Sequence, residues 1–381
     1  MKNGTKKLTI FASGFEANTV KHPQPNHGTE EVWPISWVLN RFKDLHLAMT
    51  ILRLLVHALI VLTTVNAPTW SQDVPEPGSP EPVLSIPVRG KSFPRGLQFS
   101  DDGSTLWINS LEGWSVDTGK KVLNATLAKK NISSPIIDIA NQTMLIASRK
   151  SGNVLLWREN GQPVERELSQ TGEISTARLI DQGERFALVF IDPPSVYFGS
   201  ADTDKDDSIT PLPFQAYRCE VAPDGNLLAV REGREVKIWD LERQEERAVL
   251  KHKHKPFSHV FSDDSCLLAT GTSNDNIVRI FDTKDGKLLA ELSGHGRGTI
   301  FLTSAIYSLA FSPDGKQLVS GGHDGRVIVW DVITHQPILK LKVPGPPIVS
   351  AVAFSPDSKS VACCFENAGA KRGIRVWKIR E

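Results

Sequence analysis

Short runs in which apolar and polar residues alternate recur along most of the chain, and turn-forming residues separate them. Residues 306–343 show the pattern most clearly, because IYSLAF, KQLVSGG, RVIVWD and PILKLKV follow one another with short polar turns between them. A period of two is typical of β-strands, and turns at intervals of about 8–12 residues are typical of antiparallel strands joined in sequence. We therefore predict a series of short antiparallel strands in this segment.

The turn between the first and second strands recurs along the chain. Its copies read FSDDG, IANQT, LIDQG, VAPDG, FSDDS, FSPDG and FSPDS, and they begin at Phe99, Ile139, Leu179, Val221, Phe261, Phe311 and Phe354. Successive copies start 40, 40, 42, 40, 50 and 43 residues apart. With four strands in each repeat, the pattern predicts an all-β fold, a seven-bladed β-propeller whose blades are four-stranded antiparallel sheets.

The third predicted strand of each repeat ends in an aromatic residue. These endings read VLLWR, VKIWD, VRIFD, VIVWD and IRVWK, with Trp114 and Phe198 at the matching positions of the other two repeats. On these residues the chain resembles the WD-repeat β-propeller family over residues 83–381. The last four repeats match the family pattern well, whereas the first three lack the Trp-Asp pair and most of the turn motif.

The two ends of the predicted ring are complementary. The chain finishes with IRVWKIRE, the third strand of the seventh blade, so this blade lacks its outer strand. Residues 82–88, PVLSIPV, resemble the outer strand PILKLKV and precede the first blade. We expect this N-terminal strand to complete the seventh blade and close the ring, because closure removes an exposed sheet edge. Pro87 is compatible with an outermost strand.

The N-terminal region differs from the repeats. Residues 54–65, LLVHALIVLTTV, form the only long apolar run, and Met49 stands shortly before it. This length suits the h-region of a secretory signal, about 7–15 residues, better than a membrane span of about 20. We predict an extension over residues 1–48 that is disordered or not translated, a signal peptide or signal anchor over residues 49–71, a Pro-rich linker over residues 72–82, and the propeller over residues 83–381.

Export would place the propeller in the periplasm or outside the cell, and an uncleaved anchor would tether it to a membrane through residues 49–71. Two alternatives remain. The apolar run could be a buried helix of a small N-terminal domain, and without a signal at residues 49–71 the protein would be cytoplasmic. The four Cys residues fit export less well, because we expect all of them to be free thiols buried on strands.

Composition narrows the range of partners. The chain has 381 residues, with 44 Lys and Arg against 43 Asp and Glu, and a formal net charge of +1. A nucleic-acid-binding domain carries a clear basic excess, so we expect no nucleic-acid partner. With 40% hydrophobic residues the chain has enough apolar surface for a packed core. Five of the nine Trp residues occupy the one aromatic position of the repeat, which accounts for the excess over the three Tyr.

Members of the WD-repeat family use a buried hydrogen-bonded set of His, Ser or Thr, Asp and Trp, and the resemblance implies such sets in this chain. The matching residues are His295, Ser320, Asp324 and Trp330 in the sixth blade, and His252, Thr270 and Asp275, with Phe281 in place of Trp, in the fifth. These groups satisfy one another where water is absent. A hydrolase triad uses the same residue types, but the spacing favours the structural interpretation. Phe281 has no N–H, so we expect the fifth blade to be tied less tightly.

The loops that enter the fifth and sixth blades carry several basic residues. The first reads KHKHK over residues 251–255, and the second, residues 293–305, is about ten residues longer than its neighbours. An insertion in one loop of a repeat array often marks a binding face. The candidate partner-binding rim comprises Lys251, Lys253, His254, Lys255 and Arg297. It suits an acidic protein or an anionic ligand, and solvated loop charge is the alternative.

The sequence contains no recognisable motif for a cofactor, a metal or a catalytic nucleophile, so we predict none of these. The resemblance implies a non-catalytic scaffold for protein–protein interaction, exported or membrane-tethered, with a protein or peptide partner, and we expect a monomeric ring. The alternative is an exported propeller enzyme, a lyase or hydrolase, with its site at the channel mouth. Such an enzyme would need convergent acid–base residues or metal ligands on the innermost strands.

Overall fold

Seven four-stranded antiparallel sheets make up the described part of the chain. A computed structural model describes residues 80–88, 96–108, 112–122, 135–150, 153–158, 163–202, 207–296, 305–345, 347–367 and 372–379. The predicted extension and signal segment, most of the predicted linker, and Arg297 lie outside these residues. A short 3-10 turn, Asp181–Gly183, interrupts the strands, and no helix of the described residues is long and apolar enough to cross a membrane. The predicted all-β fold is confirmed.

The strands are numbered in chain order, and each sheet contains one strand from each of four sets. The first set, the innermost strands, comprises β2 (Leu97–Phe99), β6 (Pro135–Ala140), β10 (Ile174–Ile180), β14 (Cys219–Val221), β18 (Pro256–Phe261), β22 (Ile306–Phe311) and β26 (Pro347–Phe354). The second set comprises β3 (Thr105–Ile108), β7 (Thr143–Ser148), β11 (Arg185–Phe190), β15 (Leu227–Glu232), β19 (Leu267–Thr272), β23 (Gln317–Gly322) and β27 (Ser360–Asn367).

The remaining two sets complete each sheet outward. The third set comprises β4 (Glu112–Ser115), β8 (Val154–Arg158), β12 (Ser195–Ser200), β16 (Glu235–Asp240), β20 (Ile277–Asp282), β24 (Arg326–Asp331) and β28 (Arg372–Lys378). The outer strands are β5 (Lys121–Val122), β9 (Val164–Arg166), β13 (Ser208–Pro211), β17 (Glu245–Lys251), β21 (Leu288–Ser293), β25 (Pro337–Lys342) and β1 (Leu84–Val88).

The sheets form a ring. Each innermost strand contacts the innermost strands of the two neighbouring sheets, and the series β2, β6, β10, β14, β18, β22 and β26 returns to β2. We number the sheets as blades 1 to 7 in this order, so that blade 1 is β2–β5 and blade 7 is β26–β28 with β1. The innermost strands surround a central channel.

Blade 7 is built from both ends of the propeller sequence. β1 pairs antiparallel with β28, with Leu84 opposite Val376 and Val88 opposite Arg372. Ile86 and Val88 are buried, while Ser85 and Pro87, whose side chains point to the other face of the sheet, are exposed. The predicted closure of the ring by the N-terminal strand is therefore confirmed.

A cluster of buried side chains lies at each of the seven junctions between neighbouring blades. At the junction of blades 7 and 1, Ile86 of β1 and Val376 of β28 belong to one cluster with residues of blade 1. Successive side chains of a strand point to opposite faces of its sheet. The adjacent Cys363 and Cys364 accordingly lie in different clusters, one toward blade 6 and one toward blade 1. The core is therefore a ring of junctions rather than one central cluster.

The turn after the innermost strand is held by its own side chains. In blade 6, Ser312 Oγ donates to Asp314 Oδ1 at 2.6 Å and accepts from the Gln317 amide at 2.9 Å. Asp314 Oδ1 also accepts from the Lys316 amide at 3.1 Å. Gly315 has a φ of 69°, the left-handed conformation that glycine adopts without strain. The side chains of the repeated motif thus make the hydrogen bonds that hold its own turn, as the sequence predicts.

Cys266 departs from the prediction that all four Cys residues are buried on strands. It lies in the turn just before β19 and is exposed. Its backbone amide donates to Asp264 Oδ1 at 3.0 Å. The alternation of apolar and polar residues predicts that the strand already includes Cys266. This hydrogen bond instead keeps Cys266 in the turn, and β19 begins at Leu267. Cys219 lies on β14 as predicted but is half-buried, and all four Cys residues are free thiols.

We expect Ile86→Ala to lower the free energy of unfolding by about 2–5 kcal/mol, because the side chain is 3% exposed and packs at the closing junction. Ser85→Ala, on the solvent-facing side of the same strand, is the matched control, with an expected change within about 0.5 kcal/mol. Urea unfolding followed by Trp fluorescence measures both. Equal midpoints for Ile86→Ala and the wild type would contradict the closing role of β1.

Candidate functional site

The connections between blades and the turns between second and third strands open on one end of the propeller, because successive antiparallel strands reverse direction. We call this end the loop face. In blade 5 its loops are tied together, since the amide and the hydroxyl of Ser273 both donate to the Lys255 carbonyl, at 3.0 and 3.1 Å. Ser273 also pairs with Ala305, which precedes β22. The loops at blades 5 and 6 are therefore anchored to each other.

Four of the five residues of the predicted rim lie on the loop face, between blades 4 and 5. Lys251 is the last residue of β17, and Lys253, His254 and Lys255 lie in the loop that leads to β18. The three lysines are exposed and His254 is half-buried. Within the described part of the chain, none of the four takes part in an ion pair. Their charge is consequently available to a partner.

Three exposed aromatic residues occupy matching positions of blades 4, 5 and 6, and one of them, Phe257, follows this loop directly. Tyr217, Phe257 and Tyr307 each stand four residues before the first residue of their turn motif, and they are 60%, 38% and 36% exposed. The rings of Phe257 and Tyr307 meet edge to face, with centroids 5.7 Å apart. Alternation does not single these residues out, and their recurrence at one repeat position is the signal that identifies them.

Positive charge surrounds these rings. Arg231 Nη1 donates to the Pro256 carbonyl at 2.9 Å, one residue before Phe257. Burial, and next the nearby Arg218, lower the pKa of Arg231. Burial, together with Arg231, lowers the pKa of His259 to about 4, so this imidazole is neutral at pH 7. Arg218 and Arg231 form no ion pair within the described residues, and two like charges in proximity favour an anionic partner.

The structure brings together the four residues of the predicted set in blade 6. His295 Nε2 lies 2.7 Å from Ser320 Oγ, and His295 Nδ1 lies 3.0 Å from Asp324 Oδ1. Trp330 Nε1 donates to the same Ser320 oxygen at 2.8 Å. Burial raises the pKa of Asp324, but the hydrogen bond from His295 and the backbone donors outweigh it and hold that pKa below its usual value. The set is buried and satisfies its own hydrogen bonds, which suits a structural role.

In blade 5 only part of the predicted set comes together. His252 Nε2 lies 2.9 Å from Thr270 Oγ1, and His252 Nδ1 lies 3.0 Å from the Leu250 carbonyl. The ring of Phe281 meets the imidazole edge to face at 5.5 Å. Burial, and next the nearby Arg279, lower the pKa of His252. The imidazole is thus held by one side-chain hydroxyl and one backbone carbonyl.

Asp275 does not join His252, which corrects the prediction. It accepts from Arg279 Nη2 at 3.0 Å and from the hydroxyl of Thr272. These two donors outweigh burial and lower the pKa of Asp275. The guanidinium of Arg279, on the third strand of the blade, provides a charged partner that the imidazole cannot match.

Other blades lack the hydroxyl that accepts from the indole N–H. In blade 4, Val230 stands where blade 6 has Ser320, and Trp239 Nε1 is buried without a hydrogen-bond partner. Trp114 Nε1 of blade 1 is likewise buried without a hydrogen-bond partner. The repeated Trp therefore serves in these blades as packing volume rather than as a hydrogen-bond donor.

The central channel holds a cavity of about 810 Å³. Matching positions on the innermost strands carry polar residues in blades 1–4 and apolar residues in blades 5–7, namely Gln98, Asp138, Arg178 and Glu220, then Val260, Ala310 and Ala353. Sequence reasoning missed this half-ring because each member is an isolated polar residue in its own repeat. Asp263, at the turn of blade 5, also lines the cavity.

The polar residues of the channel connect neighbouring blades. Gln98 Nε2 donates to the Ile139 carbonyl at 2.9 Å, and Asp138 Oδ2 accepts from the Leu179 amide at 2.7 Å. Arg178 pairs with Glu220 of the next blade. Burial raises the pKa of Asp138 against the opposing effect of Arg178, and burial raises the pKa of Glu220 in the same way.

Through these bonds the channel carboxylates stabilise the fold. The Coulombic attraction of Glu220 and Asp138 outweighs the burial of Arg178 and raises its pKa, so the guanidinium stays charged. Each polar side chain then bonds the backbone or the side chain of the following blade. The arrangement stabilises the junctions of blades 1–4.

We expect Ser320→Ala to lower the free energy of unfolding by about 2 kcal/mol or more, because it leaves the buried donor of Trp330 and the imidazole of His295 without their shared partner. Thr270→Val, which removes one hydroxyl at nearly constant volume in blade 5, leaves only His252 affected and should cost about half as much. Chemical denaturation measures both variants. A cost for Thr270→Val equal to or greater than that for Ser320→Ala would contradict the difference between the blades.

Comparison with known sequences identifies the repeat. The family described as WD domain, G-beta repeat, matches residues 245–282, 286–331 and 336–378. Over 120 residues, 31% of this chain, the sequence is 37% identical to WD repeat and SOCS box-containing protein 1 of Takifugu rubripes and 36% identical to that of Homo sapiens, covering 25% and 26% of those proteins. It is 28% identical over 171 residues to Protein FIZZY-RELATED 3 of Arabidopsis thaliana, 42% of this chain and 34% of that protein.

The chain thus matches about a quarter to a third of the length of these relatives. Each family match runs from the outer strand of one blade through the third strand of the next, so the three matches cover blades 5, 6 and 7 up to β28. The chain is therefore a seven-bladed β-propeller, closed by its N-terminal strand, that carries the WD repeat in its last three blades.

Proposed function

We propose that this protein is a non-catalytic scaffold that binds a protein or peptide partner on the loop face near blades 4–6. The observation that carries the proposal is the group of exposed lysines, Lys251, Lys253 and Lys255, which form no ion pair within the described residues. Their loop is anchored to a closed ring. A rigid ring loses little conformational entropy when its loops bind a partner.

Two further points support a scaffold. Propellers of the WD-repeat family typically act as interaction platforms, and the Takifugu rubripes and Homo sapiens relatives described above have WD repeats by name. In addition, Asp138 and Glu220 of the channel are engaged by neighbouring blades. Carboxylates held in this way are less suited to the acid–base work of the enzyme alternative.

Affinity capture with the full chain tests the proposal. The triple variant Lys251→Glu, Lys253→Glu and Lys255→Glu should reduce the recovery of the specific partner at least about tenfold, because like charges across an interface repel. Quantitative mass spectrometry of the captured proteins gives the ratio to wild type, and thermal unfolding verifies that the variant is folded.

The matched control reverses three charges on the opposite end of the ring, with Lys284→Glu, Lys287→Glu and Lys316→Glu. These lysines are exposed in turns of blades 5 and 6, and the control should capture the partner as well as wild type does. Full recovery by the loop-face variant, or equal loss by both variants, overturns the proposed binding face.

We also propose that residues 49–71 direct export, either as a cleaved signal peptide or as an anchor. The apolar run at residues 54–65 between Arg53 and Asn66 supports this proposal. The four free thiols weigh against an oxidising compartment, although Cys363 and Cys364 are buried and Cys219 is half-buried.

Mass spectrometry of the purified protein's N-terminus tests export. Cleavage after Ser71 should leave Gln72 as the first residue, whereas an uncleaved anchor should begin at Met49. A product that begins before residue 49 contradicts the cleaved signal peptide, and recovery of that product apart from the membranes after cell fractionation contradicts the anchor as well.

A further inference from the structure

The innermost strands carry a β-bulge at one repeated position. In blade 5, Pro256 pairs with Thr272 and Ser258 with Gly271, which leaves Phe257 as an extra residue between them. Tyr307 is the corresponding extra residue in blade 6. A bulge re-aims the side chain of the inserted residue. Here it leaves both rings partly exposed on the loop face.

Two other blades have a bulge at the same repeat position, and they show how large a side chain the fold needs there. The extra residue is Ser175 in blade 3 and Ser350 in blade 7, and both are 6% exposed. Ser350 Oγ donates to the Cys364 carbonyl at 3.3 Å. A small residue therefore suffices at the bulge, so the aromatic rings of Phe257 and Tyr307 exceed what the fold needs.

The rings are held firmly in place. Ser258 Oγ, next to Phe257, donates to the Ile306 carbonyl at 3.0 Å, and this bond joins blade 5 to blade 6. The ring of Tyr307 also meets the imidazole of His323 edge to face, with centroids 6.0 Å apart. Because the backbone beneath the rings is tied across the blade junction, a partner that covers them has little ordering cost to overcome.

Cations border the rings. Lys255 precedes Phe257 by two residues, and Arg231 is bonded to the carbonyl between them. Arg218 adjoins Tyr217 in the chain and lies close enough to Arg231 to affect its pKa. The surface thus combines exposed aromatic rings with basic side chains that form no ion pair within the described residues.

We propose that this surface binds an acidic peptide segment of a protein partner, with an aromatic or bulky apolar side chain seated on the two rings. The inference rests on the proposed scaffold function and names the class of partner. The seat comprises Phe257 and Tyr307, and Tyr217 occupies the matching position of blade 4. The cations that pair with the carboxylates are Lys251, Lys253, Lys255 and Arg218.

Carboxylates at the border of the surface favour a short peptide over an extended polyanion. Glu235 lies opposite Lys251 in the sheet register, and Glu232, on the same turn, pairs with Lys237 at 2.8 Å. These charges confine the basic area to a few side chains. The formal net charge of +1 also lacks the basic excess of a nucleic-acid-binding domain.

Selection from a random peptide library displayed on phage, with the full chain immobilised, tests the proposal. We expect enriched peptides to combine several Asp or Glu residues with one aromatic or large apolar residue. The dissociation constant of the most enriched peptide, made synthetically, is then measured by fluorescence anisotropy against wild type and variants.

The double variant Phe257→Ser and Tyr307→Ser should weaken binding of this peptide at least about tenfold. Serine is the residue that blades 3 and 7 carry at the same bulge, so the fold should tolerate it, and thermal unfolding verifies this. If the variant is unstable, Phe257→Leu and Tyr307→Leu keep apolar volume while removing the rings. Ile333→Ser is the matched control, because it removes a 79% exposed apolar side chain from another turn and should leave the affinity unchanged.

Three results overturn the inference: enriched peptides without acidic residues, affinity unaffected by the serine variant, and tighter binding of phosphatidylserine vesicles or a short DNA duplex through the same residues. Capture of a protein partner that survives the serine variant refutes the inference and leaves the scaffold proposal intact. Absence of any specific partner in the capture experiment refutes the scaffold proposal itself.

Discussion

The antiparallel pairing of β1 with β28 is the contact on which the rest of the propeller depends. Each blade buries its faces only against its two neighbours, so an open ring would expose the junction between blades 7 and 1 and leave β28 as a free edge. Closure joins residues almost 300 positions apart in the chain. The entropy cost of closing a loop grows only slowly with its length. The hydrophobic free energy of burying Ile86 and Val88 therefore helps to offset the cost of closing this long loop.

The ring is held together by different means on its two sides. Blades 1–4 bond the next blade through polar residues at one matching channel position, as Asp138 does with the Leu179 amide. Blades 5–7 have apolar residues at that position, and blades 5 and 6 bond the next blade through serines nearer the loop face, Ser258 to the Ile306 carbonyl and Ser308 to the Val352 amide. Blade 6 has a complete buried hydrogen-bond set centred on Ser320, and blade 4 buries an indole N–H without a partner. The side of the ring with polar channel residues thus includes the repeats that depart furthest from the family pattern.

The fold was predictable from periodicity because strands and turns are local features that repeat. Even the closing strand could be recognised, since PVLSIPV has the alternation of an outer strand. The residues of the candidate site were harder to predict from the sequence than the fold. Asp275 has the spacing of the family set, yet Arg279 binds it, because a guanidinium on the adjacent strand competes successfully with an imidazole. Phe257 and Tyr307 were missed for another reason: a bulge interrupts the alternation, so a linear pattern cannot tell which face the inserted residue takes.

The residue inserted at the bulge can take part in binding without being needed for folding. An extra residue in an innermost strand contributes no ladder pairing of its own, so its side chain can change without disturbing the register of its neighbours. Blades 3 and 7 use the position for a buried serine, whereas blades 5 and 6 place aromatic rings there, next to Lys255 and Arg231. A propeller whose junctions are closed by other residues can vary this position freely. The stability of the ring and the chemistry of its loop face can therefore evolve independently.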